Sequence, residues 1–269
     1  MLTRLRSRVV DVAPGAAFIA ALLLCLEIAA NSEWVNRALL PPPSSWALVV
    51  WDLIASGQFI APLTETLLRL AAGFAIGVAA GTGLGLVMGY WRPFHDFMEP
   101  LVELMRPIPK AALVPAMVLF LGIGDSMKIT SIALVVFFPM LINTVQGVRG
   151  TDPVMIDTAR TFGYGSAAIL WKIVFPAALP FIFAAMRVAL GLGMVLAVLS
   201  EMVAGSGGMG FLILDMQRSF RVRQMYAWLV ILAVVGLALT ALLGAVERRV
   251  LHWGLTERPT GVKRTRGKD

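Results

Sequence analysis

Polarity along this chain changes on a scale of about twenty residues rather than two or four. Long apolar runs are separated by short polar, basic or proline-rich stretches, and no run shows the strict alternation of a half-buried strand. Six runs, at about 14–30, 66–90, 107–123, 128–148, 177–204 and 227–246, approach or exceed the length that crosses a bilayer as a helix. Pro107, Pro109 and Pro115 interrupt the third and Arg106 and Lys110 flank its start, so a bent or broken helix is expected there. The second carries Gly73, Gly77, Gly81, Gly85 and Gly89, with Gly83 nearby. Glycine at every fourth position makes one helix face of bare backbone, which serves close packing inside one subunit or a surface along which helices slide.

Composition agrees with the pattern. Hydrophobic residues make up 58% and charged residues 14%, with a mean hydropathy of +0.82. Such an excess belongs in lipid, where only helices or closed barrels satisfy the backbone, and unalternating runs select helices. The net charge of +7 sits mostly in the tails: residues 1–11 carry a surplus of two positive charges and residues 247–269 a surplus of four. That distribution predicts two cytoplasmic tails, 1–13 and 247–269, around one membrane domain, 14–246, and excludes a nucleic-acid stripe. Arg218, Arg221 and Arg223 precede the sixth span on what the six-span count makes the outer side, against the positive-inside rule. Either they meet an extracytoplasmic partner or an anionic ligand or the count is off by one, and the agreement of the other loops and both tails favours the first. Arginines before the first span give it the look of a secretory signal, but Glu27 and the later spans favour an uncleaved anchor. Residues 40–45 (LPPPSS) read as an extracytoplasmic linker into a helix over 46–54, with Trp46, Val50 and Leu53 on one stripe suited to the membrane interface.

Cys25 is the single cysteine, and His95 and His252, read as interfacial or loop residues, lack a metal-ligand spacing; no metal or other cofactor is expected. Ionisable groups near spans are costly and therefore informative. Glu65 and Arg69 read as an i,i+4 ion pair, with Glu99, Glu103 and Arg106 as a similar ladder. Arg187 and Glu201 share the fifth span, separated by about 21 Å of helix, so each faces its own partner or a water-filled pathway. With Asn143, Gln146 and Ser200 they are the candidates for a pathway or gate.

The segment 157–180 (DTARTFGYGSAAILWKIVFPAALP) is a short polar stretch between two apolar runs. Read as a helix, it sets Ala159, Phe162, Gly163 and Ala167 on one face, where the small residues would let another protein approach the backbone. Pro176 and Pro180 are expected to end it and start the next span.

Asp157, Thr158 and Ala159, then Gly163, Ile173, Phe175 and Pro176, resemble the EAA signature of bacterial ABC importer permeases, Glu-Ala-Ala-x3-Gly-x9-Ile-x-Leu-Pro. Asp157, Thr158 and Phe175 depart from it conservatively. The stretches 105–111 (MRPIPKA), 122–125 (GIGD), 138–143 (FPMLIN) and 200–210 (SEMVAGSGGMG), together with the closing Glu247-Arg-Arg and Trp253, also resemble this family, in particular the branch importing nitrate, sulfonates and taurine. The resemblance implies an all-α integral membrane protein of about six transmembrane helices, the type I ABC importer permease fold, with a cytoplasmic coupling segment over 157–176. Asp157, Thr158, Ala159, Thr161, Phe162 and Gly163 would then contact an ATP-hydrolysing subunit. It further implies two cytoplasmic ATP-binding subunits, a second permease copy forming a homodimer, and an extracytoplasmic substrate-binding protein, all at the bacterial cytoplasmic membrane. The chain has no Gly-x4-Gly-Lys-Ser/Thr loop, Gly-x-Ser-x-Gly elbow or His-Glu-x2-His helix, so it is not expected to be an enzyme. An ion-driven carrier acting alone is the alternative; only Glu201 and the proline-broken third span speak for it.

Overall fold

A computed structural model describes residues 2–32 and 36–252, and side chains from residue 14 onward except residue 16. Trp253 and most of the basic C-tail lie outside the described residues. Every regular element among them is helical: α1 (Leu2–Asn31), α2 (Pro43–Ser56), α3 (Ile60–Tyr90), α4 (Arg92–Met105), a 3-10 turn (Lys110–Leu113), α5 (Val114–Leu121), α6 (Asp125–Arg149), α7 (Pro153–Thr161), α8 (Ser166–Ile169), a π turn (Leu170–Val174), α9 (Phe175–Ala204), α10 (Gly208–Arg218) and α11 (Val222–Val250).

The helices long and apolar enough to span a membrane are α3, α6, the continuous stretch Ser166–Ala204 and α11; α4 with Lys110–Leu121 is a fifth if that pair, bent by 79°, counts as one. The predicted first span is represented by the shorter apolar stretch Ala17–Asn31. The bend expected at the prolines is therefore present, and it falls between Met105 and Lys110. Lys110 holds the corner: its ammonium donates to the Met105 and Arg106 carbonyls that end α4 and lies 4.2 Å from the Phe138 ring centroid.

The chain forms two compact units, residues 1–68 with 198–235 and residues 69–197 with 236–269. In the first, Met209, Ile213, Trp228 and Ile231 form a core against which Val50, Leu53 and Phe59 pack. Trp46 is buried and stacks on Tyr226 at 4.6 Å, so the Trp46, Val50 and Leu53 stripe faces protein, not the membrane interface; Leu48 and Trp51 lie on the exposed face instead. The Glu27 carboxylate accepts from the Ser44 N–H at 3.0 Å and the Ser44 hydroxyl at 2.8 Å. That anion caps the N-terminus of α2 and gives Glu27 a structural role.

In the second unit the glycine face of α3 packs on α6. A β-carbon at Gly73, Gly77, Gly81, Gly85 or Gly89 would lie under 3 Å from Ile132, Val136, Met140, Thr144 or Val148 in turn, while one at Gly83 would meet nothing within 4 Å. Both ladders have a four-residue step and rise together, so α3 and α6 are parallel and packed backbone to backbone. Two parallel spans joined by one connection require the chain to recross between them. The bent pair α4–α5 makes that return.

The polar segment differs from its predicted form. α7 ends at Thr161, and a Schellman turn follows: Tyr164 N–H donates to Ala159 O at 3.1 Å and Gly163 N–H to Arg160 O at 2.9 Å, with Gly163 at φ 79°. Ala159, Phe162, Gly163 and Ala167 thus do not share one helix face. Nor do Pro176 and Pro180 begin a helix, because the helix runs unbroken from Ser166 to Ala204. The π turn explains how: Phe175 N–H bonds back to Leu170 O, and this wider turn accommodates Pro176, which has no N–H of its own.

Candidate functional site

α7 starts from sequence signals that need no tertiary help. Asp152 accepts from Val154 N–H at 2.9 Å, Pro153 takes the first helical position, and Arg160 complements the dipole in the last turn. Asp157 and Arg160 pair at 3.1 Å on the exposed surface. Thr158 and Thr161 are exposed but spend their hydroxyls on Val154 O and Asp157 O. Ala159 is buried at 4% exposure, so it faces its own chain rather than a partner. Gly163 is open on its side-chain face and is required by the left-handed backbone. The projecting apolar groups are instead Val154, Met155 and Phe162, the last 78% exposed. A cleft of about 950 Å³ runs beside them, lined among others by Tyr90, Arg92, Asp96, Arg149, Asp157 and Arg160. Tyr90 donates to Ser166 O at 3.1 Å, tying the end of α3 to the start of the long helix.

The five pathway candidates fall into separate settings. Asn143 lines a cavity of about 450 Å³ at the α4–α5 corner together with Arg106, Lys110, Phe138 and Leu192, and donates to Pro139 O at 2.8 Å. Gln146 lines a neighbouring hollow with His95, Glu99, Glu103 and Arg106. His95 is not a loop residue: it is buried on α4, its Nδ1 has no hydrogen bond and lies 3.5 Å from Asp96 and 3.6 Å from Glu99. The Arg106–Glu103 pair is exposed at 3.4 Å. Arg187 pairs with Glu247 of α11. Arg69 pairs with Asp125 at 2.7 Å, a partner that spacing along one helix does not reveal.

Ser200 and Glu201 are fully buried. The Glu201 carboxylate accepts from Thr66 Oγ1 at 2.9 Å and from Gly210 N–H at 2.9 Å, and Thr66 Oγ1 in turn accepts from Met209 N–H at 2.9 Å. The chain thereby supplies its own carboxyl oxygen to the N-terminus of α10. Only glycine permits this. Gly208 has φ 89°, and a β-carbon there would lie 2.1 Å from Glu201 Oε1. The sequence signal was a lone acid followed by a glycine-rich loop; Thr66, far away in the chain, carried none. Glu201→Ala is expected to leave Gly210 N–H and the Thr66 hydroxyl without this acceptor, at about 1–3 kcal/mol for each buried group. A clearly lower melting temperature of the detergent-purified protein checks this, and an unchanged one refutes the cap.

Among the described residues, a polar helix and glycine turn lie between helices long and apolar enough to cross a membrane, and a broken apolar pair has a cavity at its corner, the build of a multi-span membrane protein. The chain belongs to the family described as binding-protein-dependent transport system inner membrane component, which residues 73–252 match. It is 32% identical to a Bacillus subtilis protein named for aliphatic sulfonates transport, SsuC, over 81% of this chain and 79% of the relative. It is 29% identical to the taurine transport system permease protein TauC of Escherichia coli over 87% of each chain, and 28% identical to the nitrate import permease protein NrtB of Synechocystis over 88% of each. The solved inward-facing MetNI methionine ABC transporter shares the fold, with a TM-score of 0.61 at 19% identity, over 71% of this chain and 95% of that one. The chain is thus an ABC importer permease, and the lone ion-driven carrier finds no support.

Proposed function

We propose that this permease passes a small anion such as nitrate, a sulfonate or taurine through the bacterial cytoplasmic membrane by alternating access, driven by two ATP-hydrolysing subunits that grip the segment 157–163. The exposed Phe162 turn carries this reading. It hangs between the end of α6 and the start of the 39-residue helix Ser166–Ala204, so a push there reaches two spans at once. A partner groove would receive Phe162, Val154 and Met155, while Asp157 and Arg160 on the same surface set its register. ATP-driven closure of the motors then favours one tilt of the spans over the other, and its free energy enters as a differential contact at this turn.

The three relatives named above are called after sulfonates, taurine and nitrate, each of which carries an oxyanion group. The cavity at the α4–α5 corner, with Arg106, Lys110 and Asn143 on its wall, suits such a group. Two copies of this chain frame the path, a binding protein delivers the solute from outside, and both tails are cytoplasmic. Affinity purification of tagged chain from native membranes in mild detergent is expected to retain an ATP-hydrolysing subunit in a one-to-one ratio. A preparation free of any such subunit that still drives ion-coupled uptake overturns the proposal.

A further inference from the structure

α10 closes with the same backbone motif as α7, and one residue is out of place in it. Arg221 N–H donates to Met216 O at 2.8 Å and Phe220 N–H to Gln217 O at 3.1 Å, another Schellman turn. The left-handed position that Gly163 fills after α7 is filled here by Phe220, at φ 55°, the only non-glycine residue with positive φ among the described residues. A β-carbon crowds the backbone in that conformation and glycine does not. Burial of the ring could offset this, but Phe220 is 83% exposed. Neither backbone preference nor the hydrophobic effect accounts for an aromatic side chain at this point.

Its neighbours are cations. Arg218, Arg221 and Arg223 are all exposed, and Asp215, 3.3 Å from Arg221, is the one acid paired with the three among the described residues. On the six-span count of the sequence the Phe220 turn precedes the last span on the outer side, where the positive-inside bias disfavours arginine.

We infer that this turn is the knob on which the extracytoplasmic binding protein docks, Phe220 entering an apolar hollow whose rim carries Asp and Glu for Arg218 and Arg223. The inference rests on the importer reading. A rigid aromatic with one fixed direction loses little freedom on entering a matched pocket, and flanking arginines steer an acidic surface toward it. A fluid headgroup layer has no such pocket and gains nothing from a backbone held in a disfavoured conformation, which sets this occupant above a lipid anchor.

The test uses the assembled transporter, permease with its ATPase subunits, in discs of phosphatidylcholine alone, with ATP hydrolysis titrated by its purified, solute-loaded binding protein. Phe220→Gly is expected to melt no lower than the parent, because glycine relieves the turn, and to keep basal hydrolysis. The binding-protein concentration for half-maximal stimulation should nevertheless rise at least tenfold. Arg218→Glu combined with Arg223→Glu should raise it likewise and remove most of its salt dependence. Stimulation at the parent's concentrations in both variants overturns the inference, as does a shift seen only after phosphatidylglycerol is added, which assigns the turn to lipid. A parent complex that the binding protein never stimulates overturns the importer reading itself, and the docking surface with it.

Discussion

Gly163→Val is expected to leave the chain folded in the membrane and to abolish ATP-driven uptake. Gly163 sits at φ 79° with open space where a side chain would go, so the change meets no steric wall and acts through the backbone alone. A left-handed L-residue costs about 1–2 kcal/mol, and a β-branched one stands at the unfavourable end. The turn then trades its two closing bonds, Tyr164 N–H to Ala159 O and Gly163 N–H to Arg160 O, for a relaxed geometry. Phe162 and Tyr164 point elsewhere as a result, while the long helices keep their packing. Gly163→Asn is the control, since asparagine tolerates this conformation best after glycine. Uptake into vesicles, ATP hydrolysis and the amount of membrane-inserted protein separate the outcomes. Parent-level uptake by Gly163→Val would falsify the assigned role of the turn.

The second large effect is on assembly. Gly81→Ala adds one methyl group, yet its β-carbon would lie 2.6 Å from Phe137 O and 2.7 Å from Met140 Cβ, and backbone cannot swing aside as a side chain can. The α3–α6 pair has to separate along its length, and overpacking of this kind costs about 1–3 kcal/mol or more. Gly83→Ala, two residues along the same helix, meets nothing within 4 Å and exchanges a poor helix former for the best one, a gain of up to about 1 kcal/mol in an ordinary helix. Thermal melting in detergent should therefore move in opposite directions, or at least only Gly81→Ala should fall. Equal melting of the two variants would show that the helices do not touch along this face.

These two glycines also mark how far the chain could be read from its residues. The periodicity of the ladder announced a close backbone contact, but packing against a neighbour and sliding against one leave the same pattern. The matching step of Ile132, Val136, Met140, Thr144 and Val148 on α6 identified the neighbour. In the same way, prolines announced a break near residue 107, and tertiary structure fixed it as a 79° corner pinned by Lys110.

Amphipathic reading misplaced the face of the polar segment because it extended one helical period past Thr161. Helix periodicity holds only while the backbone stays helical, and the glycine counted as a small surface residue was the one that ended the helix. Pro176 misled in the opposite direction, since a π turn removes the clash and the missing hydrogen bond that normally stop a helix at proline.

The sequence by itself determined what depends on local chemistry and on lipid: helices rather than strands, the membrane as solvent, the basic tails, the caps of α7 and the position of the polar segment between spans. Those follow from hydropathy summed over twenty residues and from side chains acting on their nearest backbone. Tertiary structure alone decided which groups meet: Thr66 with Glu201 and the Gly208 loop, Arg69 with Asp125, Arg187 with Glu247, and an exposed Phe220 locked in a conformation suited to glycine. Partners separated by 56 to 143 residues leave no periodic trace, because their pairing is set by the packing of whole helices and not by spacing along any one of them.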